Sequence, residues 1–134
     1  MVRKLIGRIP LLFLIGGWAL FHLTPPSIVS SPATDDPLVG TYQVTGTNPD
    51  GSSYLGTLTV EAYGETYSLV WEVGNTVTTG VGLREGNVLS GGWDCGVVTY
   101  RIQEDGRLEG VWALCSEPHT GTEQAIPVRL GVQG

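Results

Sequence analysis

Lysine is almost missing from this chain of 134 residues: the one lysine, Lys4, and two of the six arginines fall within the first eight positions. From residue 34 onward four arginines stand against thirteen aspartates and glutamates, a formal charge of −9 where the whole chain has −6. So acidic a domain repels phosphate backbones and has no basic stripe to offset that field, which excludes nucleic acid as a partner. The same acidity serves solubility, and it attracts a cation or a basic partner. Histidine is scarce too. His119 is the one histidine beyond the N-terminal segment, and neither a metal-ligand set nor a nucleophile with a partnered base can be assembled around it. The two cysteines are too few for a thiolate metal cluster, and no apolar run reaches the roughly 20 residues of a membrane-spanning helix. Segments of helical period are absent, so no glycine-rich stretch joins a strand to a helix and phosphate-loop readings fail. No catalytic residue, metal or cofactor is implied.

What is present begins with an N-terminus laid out as an export signal. Arg3, Lys4 and Arg8 precede an apolar run of 15 residues, 9–23, and a Pro- and Ser-rich segment, 24–37. Ser31-Pro32-Ala33 offers the small residues a signal peptidase reads, so residues 1–33 are read as a signal peptide or, if uncleaved, an N-terminal membrane anchor. Residues 34–134 form one folded domain. It is expected to be exported, periplasmic or extracellular, or held outside the cytoplasm by the anchor; contact with the membrane is expected only in the second case.

The stretch from Cys95 to Cys115 spells out a complete β-hairpin. Gln103-Glu104-Asp105-Gly106 suits a type I turn closed by a left-handed glycine, and that loop length sets the register. Arg101 then faces Glu109, Val97 faces Ala113 and Cys95 faces Cys115, while Ile102, Tyr100 and Val98 meet Leu108, Gly110 and Trp112 on the other, apolar face. In an oxidising compartment the two cysteines are expected to form a disulfide.

Asn48-Pro49-Asp50-Gly51 carries the same turn chemistry, placing Tyr42 opposite Leu58, Val44 opposite Gly56 and Gly46 opposite Tyr54. A two-residue turn at Tyr63-Gly64 would pair Val60 with Tyr67, Leu58 with Leu69 and Gly56 with Trp71. Gly74-Asn75 leads into residues 76–83, with Val77, Thr79, Val81 and Leu83 inward; a one-residue slip would instead turn Thr78, Gly80 and Gly82 inward. Residues 88–93 put Leu89 and Trp93 on one face. In the last strand, 122–130, Ile126, Val128 and Leu130 fall together, and Pro127 marks a weak point if that strand closes on the first.

Eight strands at roughly ten-residue spacing, joined by tight turns, predict an all-β fold: an eight-stranded antiparallel up-and-down meander, closed or nearly closed into a small barrel. A two-sheet sandwich would need a long crossing connection, and the longest loop, around Pro118, is short. The motif Thr-Tyr-x-(Val/Ile) followed by Asp-Gly recurs at Thr41 and Thr99, an echo that two similar halves or shared turn chemistry would both produce.

Seven aromatic residues, Tyr42, Tyr54, Tyr67, Trp71, Trp93, Tyr100 and Trp112, are predicted on or near the inner faces. Each Tyr and Trp brings a polar tip that must find a partner. Such a set lines a ligand-holding barrel, and equally fills a barrel that holds nothing. Arg101, Glu109 and Arg107 fall on the outer face as solvated charges. Asp35-Asp36 and Glu104-Asp105 sit in the leader tail and a tight turn and lack the spacing of a calcium loop.

The segments Gly40-Thr41-Tyr42, Tyr54-Leu55-Gly56, Tyr67-Ser68-Leu69-Val70-Trp71, Gly80-Val81-Gly82 and Gly86-Asn87-Val88-Leu89 resemble small exported bacterial β-proteins, some of them labelled fibronectin-binding. The plan also resembles avidin-like and lipocalin-like barrels, which implies binding of one small molecule in the barrel mouth. The leading expectation is a non-catalytic exported barrel that binds a small apolar or aromatic ligand inside, or an extracellular protein along its rim. A barrel enzyme with few charged groups would require a buried polar group in the interior. A surface interaction module without a pocket would require an exposed apolar patch or a free strand edge near Pro127.

Overall fold

Turn chemistry sets the strand order. A computed structural model describes residues 35–129, and within them eight strands run β1 (Gly40–Thr47), β2 (Ser53–Tyr63), β3 (Thr66–Val73), β4 (Thr76–Glu85), β5 (Val88–Trp93), β6 (Gly96–Ile102), β7 (Leu108–Leu114) and β8 (Gly121–Pro127). Each pairs antiparallel with the next, and β8 returns to β1, closing the barrel. The predicted up-and-down meander is therefore the fold. The signal or anchor reading of residues 1–33 and the final Leu130 lie outside the described residues.

The two Asp-Gly hairpins adopt the predicted registers. Gly51 and Gly106 both sit at φ +88°, and their N–H groups donate to Asn48 O at 2.9 Å and Gln103 O at 3.0 Å. Gly40 to Thr47 pairs Val60 to Ser53, and Gly96 to Ile102 pairs Leu114 to Leu108. One step beyond that last ladder Cys95 and Cys115 are disulfide-bonded, with Cα atoms 5.3 Å apart.

Elsewhere three expectations are corrected. The β2–β3 loop is Gly64-Glu65, so Val60 pairs Leu69 and Leu58 pairs Trp71, two residues away from the predicted register. A two-residue loop wants a residue with φ > 0 first, and Gly64 at φ +59° supplies it where Tyr63 would be strained. A shift of two keeps every side chain on its face, but Gly56 is not the space beneath Trp71.

The inward set of β4 is Thr78, Gly80 and Gly82, while Val77, Val81 and Leu83 are exposed. Interior volume decides this. Leu69 and Trp71 occupy the facing positions of β3, and a Cβ at Gly80 would lie 2.5 Å from Gly92 O. One at Gly82 would press Leu89 and Leu69 at 3.1 and 3.2 Å, so valines and leucines cannot take these places.

In β8 Gly121, Glu123 and Ala125 point inward, and Ile126 is exposed, as is Val128 after the strand. Ala125 lies opposite both Val44 and Leu108, where an isoleucine would overfill a packed layer. At Pro127 the side of the strand facing β7 is unpaired, as a residue without an N–H requires, while the closing ladder to β1 continues through it. The β7–β8 ladder ends at Leu108↔Ala125, so Pro127 pairs only Tyr42 of β1, and the next residue, Val128, donates its N–H to Thr41 O at 2.9 Å. The proline stands where no ladder donor is required.

Eight strands enclose a space that side chains can fill. At the end nearer the β6–β7 turn they do: Val44, Leu58, Val60, Leu69, Leu89, Leu108 and Ala125 are all fully buried. The segment before β1 seals this end. Leu38 is buried there, Tyr42 Oη donates to Leu38 O at 2.7 Å, and Leu38 N–H donates to Asp36 Oδ1 at 2.9 Å. Tyr67 Oη donates to Asp36 Oδ2, and the Arg84 guanidinium approaches Asp36 at 3.8 Å. Asp36, read from sequence as leader tail, is thus the polar hub of a plug.

Candidate functional site

The opposite end is open. A cavity of about 390 Å³ enters the barrel there, and its walls include Tyr54, Trp71, Trp93, Tyr100 and Trp112, five of the seven predicted lining residues. Tyr42 and Tyr67 are inward as predicted but belong to the closed end. Four of the five wall aromatics lie over a glycine directly across the ladder: Tyr54 over Gly46, Trp93 over Gly96, Tyr100 over Gly110 and Trp112 over Gly121. A Cβ at any of these glycines would collide with the ring. The rings therefore lie along the wall, and space is left in the mouth. Trp71 and Trp93 stack at a tilt with centroids 5.2 Å apart, and Tyr54 meets Trp112 edge-on at 6.3 Å.

At the cavity floor is a residue that the sequence reading missed. Glu123 is buried, 7% exposed, and three donors converge on it. Tyr100 Oη donates to Oε1, Trp71 Nε1 donates to Oε1 at 3.1 Å, and Tyr54 Oη donates to Oε2 at 2.7 Å. Trp71 Nε1 also lies 3.0 Å from Tyr100 Oη, which accepts from it while donating to Glu123. Burial pushes the Tyr100 phenol well above its ordinary pKa, and the adjacent Glu123 charge adds to the rise. Burial likewise raises Tyr54, reinforced by its hydrogen bond to Glu123. Both phenols are held protonated, as donors. Trp112 Nε1 is buried without a hydrogen-bond partner. Val73, Val98, Leu114, Thr76, Thr78 and Asn48 complete the lining.

Glu123 escaped the sequence because Ile126 and Val128 offered a stronger apolar alternation on the other parity. The available signal was indirect: closure of β8 on β1 sets Glu123 opposite Gly46, beside the ring of Tyr54.

The remaining candidates are surface features. Arg101 and Glu109 pair across the outer face and are exposed, and Arg107 is held by Asp105 at 2.7 Å within the turn. His119 is exposed in the loop after Cys115. No group of three potential metal ligands occurs among the described residues. A broad depression on the outer wall is lined by Thr45, Leu55, Thr99, Arg101, Glu109 and Gln124 among others, and lies outside the aromatic mouth.

No family model matches the sequence, and no curated protein matches it. Among the solved structures that match is one titled REP1-NXSQ fatty acid transporter, with TM-score 0.50 and 10% identity over 70% of this chain and 98% of that one. The likeness is one of fold.

Proposed function

We propose that the domain is an exported, non-catalytic binding barrel whose open end takes one small apolar or aromatic ligand. The observation that carries this reading is the cavity of about 390 Å³ walled by Tyr54, Trp71, Trp93, Tyr100 and Trp112 over a floor of convergent polar groups, within the size range of small-molecule sites. The fold it shares with a structure titled as a fatty acid transporter supports the same reading at the level of architecture. The absence of catalysis is proposed because the cavity lining places no serine, cysteine or histidine beside Glu123 with which a nucleophile and its base could be assembled. Export is proposed from the layout of residues 1–33 and from the disulfide. The resemblance to exported bacterial β-proteins agrees with it, while the fibronectin-binding label borne by some of them finds no counterpart in the site.

Titration with the apolar fluorophore N-phenyl-1-naphthylamine tests the pocket. Saturable enhancement at one site, lost in Thr78→Trp, which fills the mouth from the β4 wall, is the expected outcome. Unsaturable enhancement, or saturable binding indifferent to Thr78→Trp, counts against it.

A second reading has its own observation. Val77, Val81 and Leu83 all project from the outer face of β4 and are more than half exposed, a face suited to a macromolecular partner.

A further inference from the structure

Glu123 is a charge with no countercharge. Among the described residues the ion pairs are Arg84 with Asp36, at the closed end, and Arg107 with Asp105, in an outer turn. Three neutral donors solvate the Glu123 carboxylate, yet burying a carboxylate without a cation is costly, and the charge stands at the floor of an open cavity. The oxygens are not equally occupied. Oε1 accepts from both Tyr100 and Trp71, whereas Oε2 accepts only from Tyr54. Oε2 and the Tyr54 hydroxyl oxygen, whose own proton is already committed to Glu123, are left as acceptors. Around them stand the indoles of Trp71, Trp93 and Trp112, whose π-systems attract positive charge.

We infer that the open-end cavity is a receptor for a small organic cation: a primary ammonium seated on Glu123 Oε2, carried on a short aromatic or aliphatic body that lies among the tryptophans. This rests on the pocket reading above and names the charge of its ligand. A carboxylate ligand would meet Glu123 as a like charge in a desolvated site. The unpartnered Trp112 Nε1–H and the hydroxyls of Thr76 and Thr78 could serve an acceptor, and neutral donors do not outweigh a full charge at the floor. The net acidic domain further concentrates cations at its surface.

The test is a calorimetric titration of three ligands of matched shape: 2-phenylethylammonium, 2-phenylethanol and 3-phenylpropanoate. The ammonium is expected to bind at least about tenfold more tightly than the alcohol, and the carboxylate more weakly than either. In Glu123→Gln the ammonium advantage should vanish while the alcohol's affinity stays within about twofold. If that variant does not fold, the charge series on the native protein still decides. Alcohol binding equal to ammonium binding, or carboxylate binding tightest, overturns the cation inference and leaves the pocket standing. Binding of none of the three overturns both.

Discussion

The two ends of the barrel are built from the same residue types and reach opposite states. At the closed end Tyr42 and Tyr67 turn their hydroxyls onto a segment that precedes the barrel, Leu38 and Asp36, and Leu38 fills the remaining space. Asp36 has a cation to balance it, Arg84. At the open end Tyr54 and Tyr100 turn their hydroxyls onto Glu123, and among the described residues no segment enters the mouth and no cation balances the carboxylate. A carboxylate that accepts from a tyrosine hydroxyl serves as a plug where the chain supplies the apolar stopper and the countercharge. It becomes a candidate site where both are left for a ligand to supply.

The contrast breaks first at Tyr42. Tyr42→Ala removes a fully packed ring and its bond to Leu38, and should cost about 3–5 kcal/mol in urea unfolding. Trp93→Ala, at the half-exposed mouth, should cost no more than about 2 kcal/mol. Equal losses would show that the two ends are packed alike. Removing the disulfide with Cys95→Ala and Cys115→Ala together should lower stability by about 3 kcal/mol, set by the loop it closes. A shift of the calorimetric midpoint too small to resolve would mean that the hairpin ladder alone holds the rim.

Gly46→Ala sharpens the contrast more finely, because its methyl group would collide with the Tyr54 ring and displace it from Glu123. A loss of about 1–3 kcal/mol is expected, together with weakened ligand binding at the mouth. Full retention of binding would remove Tyr54 from the site. The smallest effect is at Asp36. Burial pushes its carboxyl up, but hydrogen bonds from Tyr67 and from Leu38 N–H, with the Arg84 charge, outweigh this and hold it below 3.8. A depressed carboxyl stabilises the fold above its unfolded value and loses that contribution as pH falls through the folded one. Asp36→Asn should therefore cost about 1 kcal/mol at pH 7, and the gap to the native protein should close below pH 3.8. A gap that persists unchanged in acid would show that the plug does not depend on the charge of Asp36.

Much of the closed barrel could be read directly from local chemistry. The Asp-Gly turns at 48–51 and 103–106 each set a register that holds along the whole hairpin, and with it the meeting of Cys95 and Cys115. All seven aromatics fall inward, five of them at the mouth. What escaped was parity where a strand has two plausible faces. β4 offers Val77, Val81 and Leu83 on one side and small residues on the other, and apolarity alone selects the wrong side. β8 offers Ile126 and Val128 against Glu123 and Ala125, with the same result. In both strands the larger apolar side chains were turned out because the interior was already full.

The sequence by itself determined the number of strands, the two Asp-Gly turns with their registers, the disulfide and the placing of Tyr54 and Tyr100 opposite Gly46 and Gly110, because each depends on residues close along the chain or directly across one hairpin. Only the tertiary structure decided which face of β4 and β8 looks inward, that Leu38 and Asp36 stop one end, and that Glu123 waits at the other. Those outcomes depend on the finite volume enclosed when β8 meets β1, a constraint that no single strand or hairpin carries.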